Sequence, residues 1–216
     1  MINIEDQKDE FYFINDRPEL MAFLPPEAKT ILDVGCAEGY FGVSIKNRNQ
    51  AEVWGIEYQE EAAEKASEKL DKVLQGDVQQ LTEKLPDNHF QLITCNDVLE
   101  HLVDPYTTIE KLKKKLTSDG HLFACLPQIR YYKTLIEIIF KADFKYVDAG
   151  VMDRTHLRFF TKKSIRRMFE EAGYEVIKIK GVNRSKSIRP YLLTILSLGF
   201  ISDSHYIQYG VLARPR

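Results

Sequence analysis

From Thr30 to Pro127 the chain alternates short apolar runs with charged, helix-like stretches, and few folds accept that rhythm. Thr30–Val34 reads as a first strand and Tyr40–Asn47 as the helix after its loop. Glu52–Glu57 follows as a second strand. Glu60–Leu70 is built almost wholly from strong helix formers, with opposite charges at helical spacing. Lys72–Gly76 and Phe90–Cys95 read as the third and fourth strands. Tyr106–Leu116 reads as a basic-faced helix closed by Asp119-Gly120, and His121–Leu126 as a fifth strand stopped by Pro127. Strands separated by helices call for a mostly parallel sheet covered on both faces, a doubly wound α/β fold. A length of 216 residues suits a single domain spanning 1–216, and 44% apolar content closes its core without disulfide or metal.

Beyond Pro127 the rhythm changes. Gln128–Asp153 holds many aromatics and no clear strand, so 128–160 is expected to be a helical lid or insertion, with 184–203 as a second. A helix restarts with Thr161 as N-cap, runs through KKSIRRMFEEA and stops at Gly173. Tyr174–Ile179 and Tyr206–Ala213 read as the two late strands. The apolar stretches Tyr131–Phe140 and Tyr191–Ile201 fit lid helices, or surfaces that touch a lipid or a partner subunit. A helix apolar nearly all round is usually buried, which favours lid or dimer contact over membrane insertion and leaves monomer and homodimer open. Neither stretch reaches the ~18 apolar residues needed to span a bilayer. The opening MINIEDQKDEFYF lacks the order of a signal peptide, and Cys36, Cys95 and Cys125 form no paired framework. A cytoplasmic setting is therefore expected. The formal net charge of −2 gives no long-range attraction to nucleic acid or anionic lipid.

Ile31–Gly42 reads ILDVGCAEGYFG, an apolar strand running into Asp33, then Gly35 and Gly39, with a helix beginning at once. Glycine there permits backbone angles closed to other residues and close approach of a ligand. Glu57 ends the second strand 24 residues after Asp33, where an acidic side chain can accept both hydroxyls of a ribose. A dinucleotide site would show GxGxxG with phosphates over the helix N-terminus. Here Ala37 replaces the second glycine, and Asp33 and Glu38 place two carboxylates beside the loop. Those charges oppose a pyrophosphate and suit the cationic amine and sulfonium of S-adenosylmethionine (SAM). Gly76-Asp77-Val78 follows the third strand, which places Asp77 to accept from an adenine amino group and Val78 to cover the ring. Asn96-Asp97 follows the fourth. In a sheet of order 3-2-1-4-5, the ends of strands one and four flank the crevice where ligands bind.

Together, DVGCAEGYFG, Glu57, Gly76-Asp77 and NDVLEHL at Asn96–Leu102 resemble the class I SAM-dependent methyltransferases over about residues 28–127. The resemblance implies seven strands in the order 3-2-1-4-5-7-6, the last antiparallel. It implies that Asp33, Gly35 and Gly39 hold the methionine end of SAM, Glu57 the ribose, and Asp77 and Val78 the adenine. Asn96 contributes a backbone contact, and Cys36, Ala37 and Tyr58 complete the lining. S-adenosylhomocysteine is the implied product.

Methyl transfer is a direct displacement, and aligning the reactants alone can remove ~7–11 kcal/mol of barrier. An oxygen or nitrogen nucleophile must also lose a proton to a base, or be activated by a metal. Two segments offer such groups. If Asp97–His101 turns helically, Asp97, Glu100 and His101 share one face. The later run MDRTHLRFFT at Met152–Thr161 supplies His156 and Arg158. Glu100-His101 with the later THxxxF resembles ubiquinone-pathway O-methyltransferases and the metal-dependent 2′-O-methyltransferases of small RNAs. In the RNA group such residues hold magnesium. Asp97 replaces that group's first glutamate, so no metal is expected, with Glu100, His101 and His156 as the alternative ligand set. The D-x-T-H-L-R-F-F-T run also resembles methyltransferases of bacterial polysaccharide and glycolipid synthesis, which implies a sugar or lipid-linked glycan acceptor.

His156 and His101 are accordingly the catalytic candidates, and Arg158 and Tyr131 the acceptor contacts. Blander roles compete: Glu100-His101 fixing a helix start, and Arg154 and Arg158 pairing with Glu170-Glu171. The leading expectation is O-methylation of a small hydroxylated molecule that is sugar-like or quinone-like. An RNA methyltransferase, a non-catalytic SAM-binding module and a nicotinamide enzyme are the alternatives. The acidic balance and the lack of a basic stripe with interleaved aromatics weigh against RNA.

Overall fold

β1 (Thr30–Val34) buries four of its five residues, as a strand covered on both faces must. Around it, in the computed structural model, which describes residues 16–216, lie β2 (Glu52–Glu57), β3 (Lys72–Gln75), β4 (Phe90–Asn96), β5 (Leu116–Pro127), β6 (Tyr174–Arg184) and β7 (Tyr206–Pro215). The opening stretch MINIEDQKDEFYF, with the expectation drawn from it, lies outside those residues. The sheet order is β3-β2-β1-β4-β5-β7-β6, as expected. β1 to β5 pair in parallel, and β7 runs antiparallel to both of its neighbours.

Alternate residues along the strands feed two separate cores. Ile31, Val53, Leu92 and Phe123 face one side, with Phe41 and Ile45 of α1 (Tyr40–Asn49) and Ala66 of α2 (Glu60–Ser67). A 3₁₀ turn at Pro18–Phe23 adds Leu20 and Phe23 to that core. Leu32, Val34, Ile93 and Leu122 face the other side, covered by α3 (Val78–Leu81), α4 (Pro105–Lys113) and α6 (Lys162–Glu171). α5 (Tyr132–Phe140) and α7 (Arg189–Leu196) stand on a third, smaller cluster around Tyr131, Tyr132 and Val151.

One local expectation is corrected. The α4 helix ends at Lys113, and β5 already begins at Leu116. Phe90 pairs with Leu116 but Leu92 pairs with His121, so Thr117–Gly120 loops out as a bulge. Asp119-Gly120 therefore turns within a strand rather than closing a helix. A Cβ on Gly120 would lie 2.9 Å from the Phe90 carbonyl oxygen, so only glycine passes there without displacement. The α7 helix leaves much of its apolar surface open to solvent. Its apolar residues Leu192, Ile195 and Leu196 are exposed, although so apolar a helix reads as buried. No helix among the described residues is long and apolar enough to cross a membrane.

Candidate functional site

A cleft of about 500 Å³ opens at the carboxyl ends of β1, β2 and β4. That position follows from the topology. β2 and β3 leave β1 on one side and β4 on the other, so the loops after β1 and β4 diverge and leave a crevice.

The β1–α1 loop forms its floor. Gly35 stands at φ 69°, where its backbone N–H donates to Ile56 O at 2.7 Å. An added Cβ would sit 2.4 Å from Val98 Cγ2. Ala37 holds a positive φ of 48°, a conformation that costs a side-chain-bearing residue more than glycine. Its N–H donates to Glu57 Oε2 at 2.8 Å, and Gln59 N–H donates to Oε1 at 2.9 Å. The buried Glu57 carboxylate is thus fixed in the cleft wall by two backbone donors. Asp33 is 2% exposed and accepts from Thr94 Oγ1 at 2.6 Å. Burial, with the Glu57 charge adding to it, raises its carboxyl to about 7, although the Thr94 bond works the other way.

Nine of the ten cofactor candidates line this cleft: Asp33, Gly35, Cys36, Ala37, Glu57, Tyr58, Asp77, Val78 and Asn96. Gly39 does not. It starts α1 at φ 85°, and a Cβ there would lie 3.3 Å from Ala66 Cα. Asp77 caps α3, accepting from Gln79 N at 2.8 Å through Oδ1. The buried Oδ1 of Asn96 has no hydrogen-bond partner among the described residues.

Asp97 departs from the expected helical face. Its φ of 54° breaks any helix before it starts, and Leu99–His101 forms only a 3₁₀ turn. Its carboxylate instead accepts from Arg17 through Oδ2 and from Gln208 through Oδ1. Arg17 also lines the cleft, and its Nη2 donates to Gln208 Oε1 at 3.1 Å. Neither Arg17 nor Gln208 carries a local sequence signal, because their roles arise from contacts across the chain.

Glu100 and His101 meet His156 through the backbone. Leu157 and Arg158 both donate their N–H groups to Glu100 O, at 2.8 and 3.0 Å. His101 Nδ1 lies 3.2 Å from Thr155 O, and His156 Nδ1 lies 3.1 Å from Val151 O. The two rings pack edge to face at 4.8 Å, with Glu100 Oε1 4.0 Å from His156 Nε2. One ligand atom from each of Glu100, His101 and His156 falls within 4.8 Å of the others. His101 lines the cleft, whereas His156 is buried behind it. Asp153, not singled out from sequence, shapes this corner: its Oδ1 accepts from Thr155 N at 2.8 Å and Thr155 Oγ1 at 2.7 Å. An aspartate two residues before a threonine is the signal that could have marked that turn.

The two acceptor candidates do not line the cleft. Arg158 lies on the rim, donating to Val103 O at 2.6 Å, and Tyr131 is buried against Tyr132 at the start of α5. Arg154 pairs with Asp148 and Arg166 with Glu170, so the expected pairing of Arg154 and Arg158 with Glu170-Glu171 is not found.

Comparison with known proteins bears on this geometry. Residues 7–179 match a family model described as a methyltransferase domain. The ubiquinone biosynthesis O-methyltransferase of Neisseria meningitidis (serogroup A, serotype 4A) is 27% identical over 224 residues, covering 97% of this chain and 89% of its own. That of Aeromonas salmonicida is 30% identical over 163 residues, covering 72% and 66% respectively. A SAM dependent methyltransferase from Archaeoglobus fulgidus shares the fold at a TM-score of 0.71 and 16% identity, over 95% of this chain and 99% of that one. With the family model spanning most of its length, the chain belongs to the methyltransferase-domain family.

Proposed function

We propose that the protein is an O-methyltransferase that takes a methyl group from SAM and places it on a hydroxyl of a small, quinone-like acceptor. The observation that carries this is the acidic cleft wall, in which Glu57 is locked by two backbone N–H donors beside a buried Asp33. The wall suits SAM by its chemistry. Asp33, Glu57 and Asp77 offer carboxylates to an amine, a ribose and an adenine, and Asn96 Oδ1 is a buried acceptor awaiting a donor. Among the described residues lining the cleft, the one Lys or Arg is Arg17, which Asp97 already engages. A pyrophosphate would find no comparable cation.

When bound, SAM supplies an electrophilic methyl group and a neutral thioether leaving group. The chain's part is to align and to remove a proton. His101 lines the cleft. In the tautomer whose Nδ1–H donates to Thr155 O, its Nε2 carries the lone pair that accepts the hydroxyl proton. His156, with Glu100 beside it, holds the His101 ring in place from behind. The names of the relatives support a quinone-like acceptor, and the D-x-T-H-L-R-F-F-T run leaves a sugar hydroxyl as its competitor. One observation favours a second reading of the same corner: the convergence of Glu100, His101 and His156 would hold a divalent cation beside the acceptor oxygen. Three free, buried cysteines support a reducing, cytoplasmic setting.

Calorimetric titration with SAM, and separately with NADH, tests the cofactor. SAM binding in the ~micromolar range without NADH binding is expected. Methyl transfer from labelled SAM to a catechol or hydroquinone, set against a nucleotide sugar, then tests the acceptor. His101→Ala is expected to lower kcat by about 10²–10⁴-fold with SAM affinity unchanged. Activity that survives a chelator removes the cation reading. A folded sample that fails to bind SAM sinks the whole proposal.

A further inference from the structure

The outer face of α5 and α7 is both greasy and basic. Ile139, Phe140, Ile195, Leu196, Leu198 and Phe200, at the end of α5 and along and after α7, are between 62% and 97% exposed. The opposite sides of the two helices are anchored, Ile136 and Leu193 packing on the Tyr131–Tyr132–Val151 cluster. Ile139, Phe140, Ile195 and Leu196 are therefore carried on packed helices, Leu198 and Phe200 follow directly, and the other described residues leave all six uncovered. A cluster of this kind on one surface of a protein marks a contact.

Charge chooses the partner. Between Glu175 and Asp203 the chain holds five Lys or Arg and no acidic residue, a local excess that the formal net charge of −2 conceals. Three of them, Arg184, Lys186 and Arg189, are exposed on the stretch that leads into α7. Apolar side chains next to a run of cations match an anionic bilayer, which takes the first into its headgroup–acyl boundary and attracts the second. A second copy of this chain is a poor match, because a two-fold contact would bring the same cations face to face. No described helix is long and apolar enough to cross, so a bilayer would take this segment onto its surface rather than through its core. α5 follows β5 and α7 joins β6 to β7, which places both at the carboxyl edge of the sheet, where the cleft opens.

We propose that the end of α5, α7 and the loop after it form a membrane-docking face for anionic phospholipid. The proposal stands apart from the acceptor assigned above, and its test reads lipid binding rather than methyl transfer. The full chain is sedimented with vesicles of phosphatidylcholine containing about one-third phosphatidylglycerol, and with pure phosphatidylcholine, at low and high salt. Binding to the anionic vesicles, weakened by salt, is expected. The double variant Leu198→Asp/Phe200→Asp should lower that binding by about tenfold or more. Both side chains are at least 80% exposed, so the variant should keep its thermal unfolding midpoint, which is measured alongside. The triple variant Arg184→Glu/Lys186→Glu/Arg189→Glu should abolish the preference for anionic lipid. The proposal is overturned if the unaltered chain stays in the supernatant with both lipids, or if the variants bind as well as it does. It is equally overturned if sedimentation equilibrium shows a dimer that Leu198→Asp/Phe200→Asp dissolves.

Discussion

Asp33 is buried at the end of β1 with its carboxyl raised to about 7 by burial and by the neighbouring Glu57 charge, which makes it a cost to the unliganded fold. The sign follows from linkage. An unfolded aspartate titrates near 3.8, so between about pH 4 and pH 7 the folded chain retains a proton that the unfolded chain has released. Stability is therefore lost as pH rises through that window and stays low above it. Asp33→Asn removes the titration. Without ligand, the variant is expected to match the parent near pH 4 and to exceed it at pH 8, by at most about 4 kcal/mol. On the role proposed for Asp33, the same variant should bind SAM about 10- to 100-fold more weakly, since it would lose a charge-assisted contact to the cationic amine. Urea titrations at the two pH values check the first expectation, and an unchanged gap between variant and parent would contradict it. The two expectations together would make Asp33 a case of the conflict between activity and stability.

Thr161 accepts from Ser164 N at 3.2 Å, and Thr161 N donates back to Ser164 Oγ at 2.8 Å, closing a capping box at the start of α6. Thr161→Ala should cost about 1 kcal/mol in urea unfolding, with SAM affinity unchanged. A change below about 0.3 kcal/mol would mean that packing of Ile165, Met168 and Phe169, rather than the cap, sets this end of the helix. That cap was legible from sequence, as were β1 and β2 to the residue, because local chemistry and periodicity decide such elements. The cleft wall was legible for a related reason: Asp33, Glu57, Asp77 and Asn96 each lie within two residues of the carboxyl end of a strand, and strand ends converge at the switch point. The start of β5 was not, because Thr117–Gly120 looks like a helix stop and only pairing with Phe90 and Leu92 reveals a bulge. The exposure of α7 was equally hidden, since composition reports how apolar a helix is and not what covers it. The approach of His101 to His156 depends on Leu157 and Arg158 hydrogen-bonding to Glu100 O, a contact between segments more than fifty residues apart.

Across the whole molecule, the segment before β1 is tied to β7, the last strand of the chain, through the cleft. Arg17 donates to Asp97 and to Gln208 of β7, Gln208 donates to Asp97, and Asn183 of β6 donates to Gln208 Oε1 at 2.8 Å. Residues from four places in the chain thus share one network, with Arg17 and Asp97 both largely shielded from water. Losing either charge leaves the other in a poorly solvated place, which makes the single variants expensive and the pair less so. Arg17→Met and Asp97→Asn are each expected to cost about 2–3 kcal/mol, and the double variant less than their sum by about 1–3 kcal/mol. Denaturant unfolding followed by the single Trp54 and by circular dichroism reads both the cycle and its cooperativity. Coincident transitions with a positive coupling would place the Arg17 segment in the same cooperative unit as β6 and β7. Additive costs, within about 0.3–0.5 kcal/mol, would reduce the network to independent surface contacts. In that case Arg17 would act on the cleft independently of Asp97, and the fall in SAM affinity in Arg17→Met would be the same with or without Asp97→Asn.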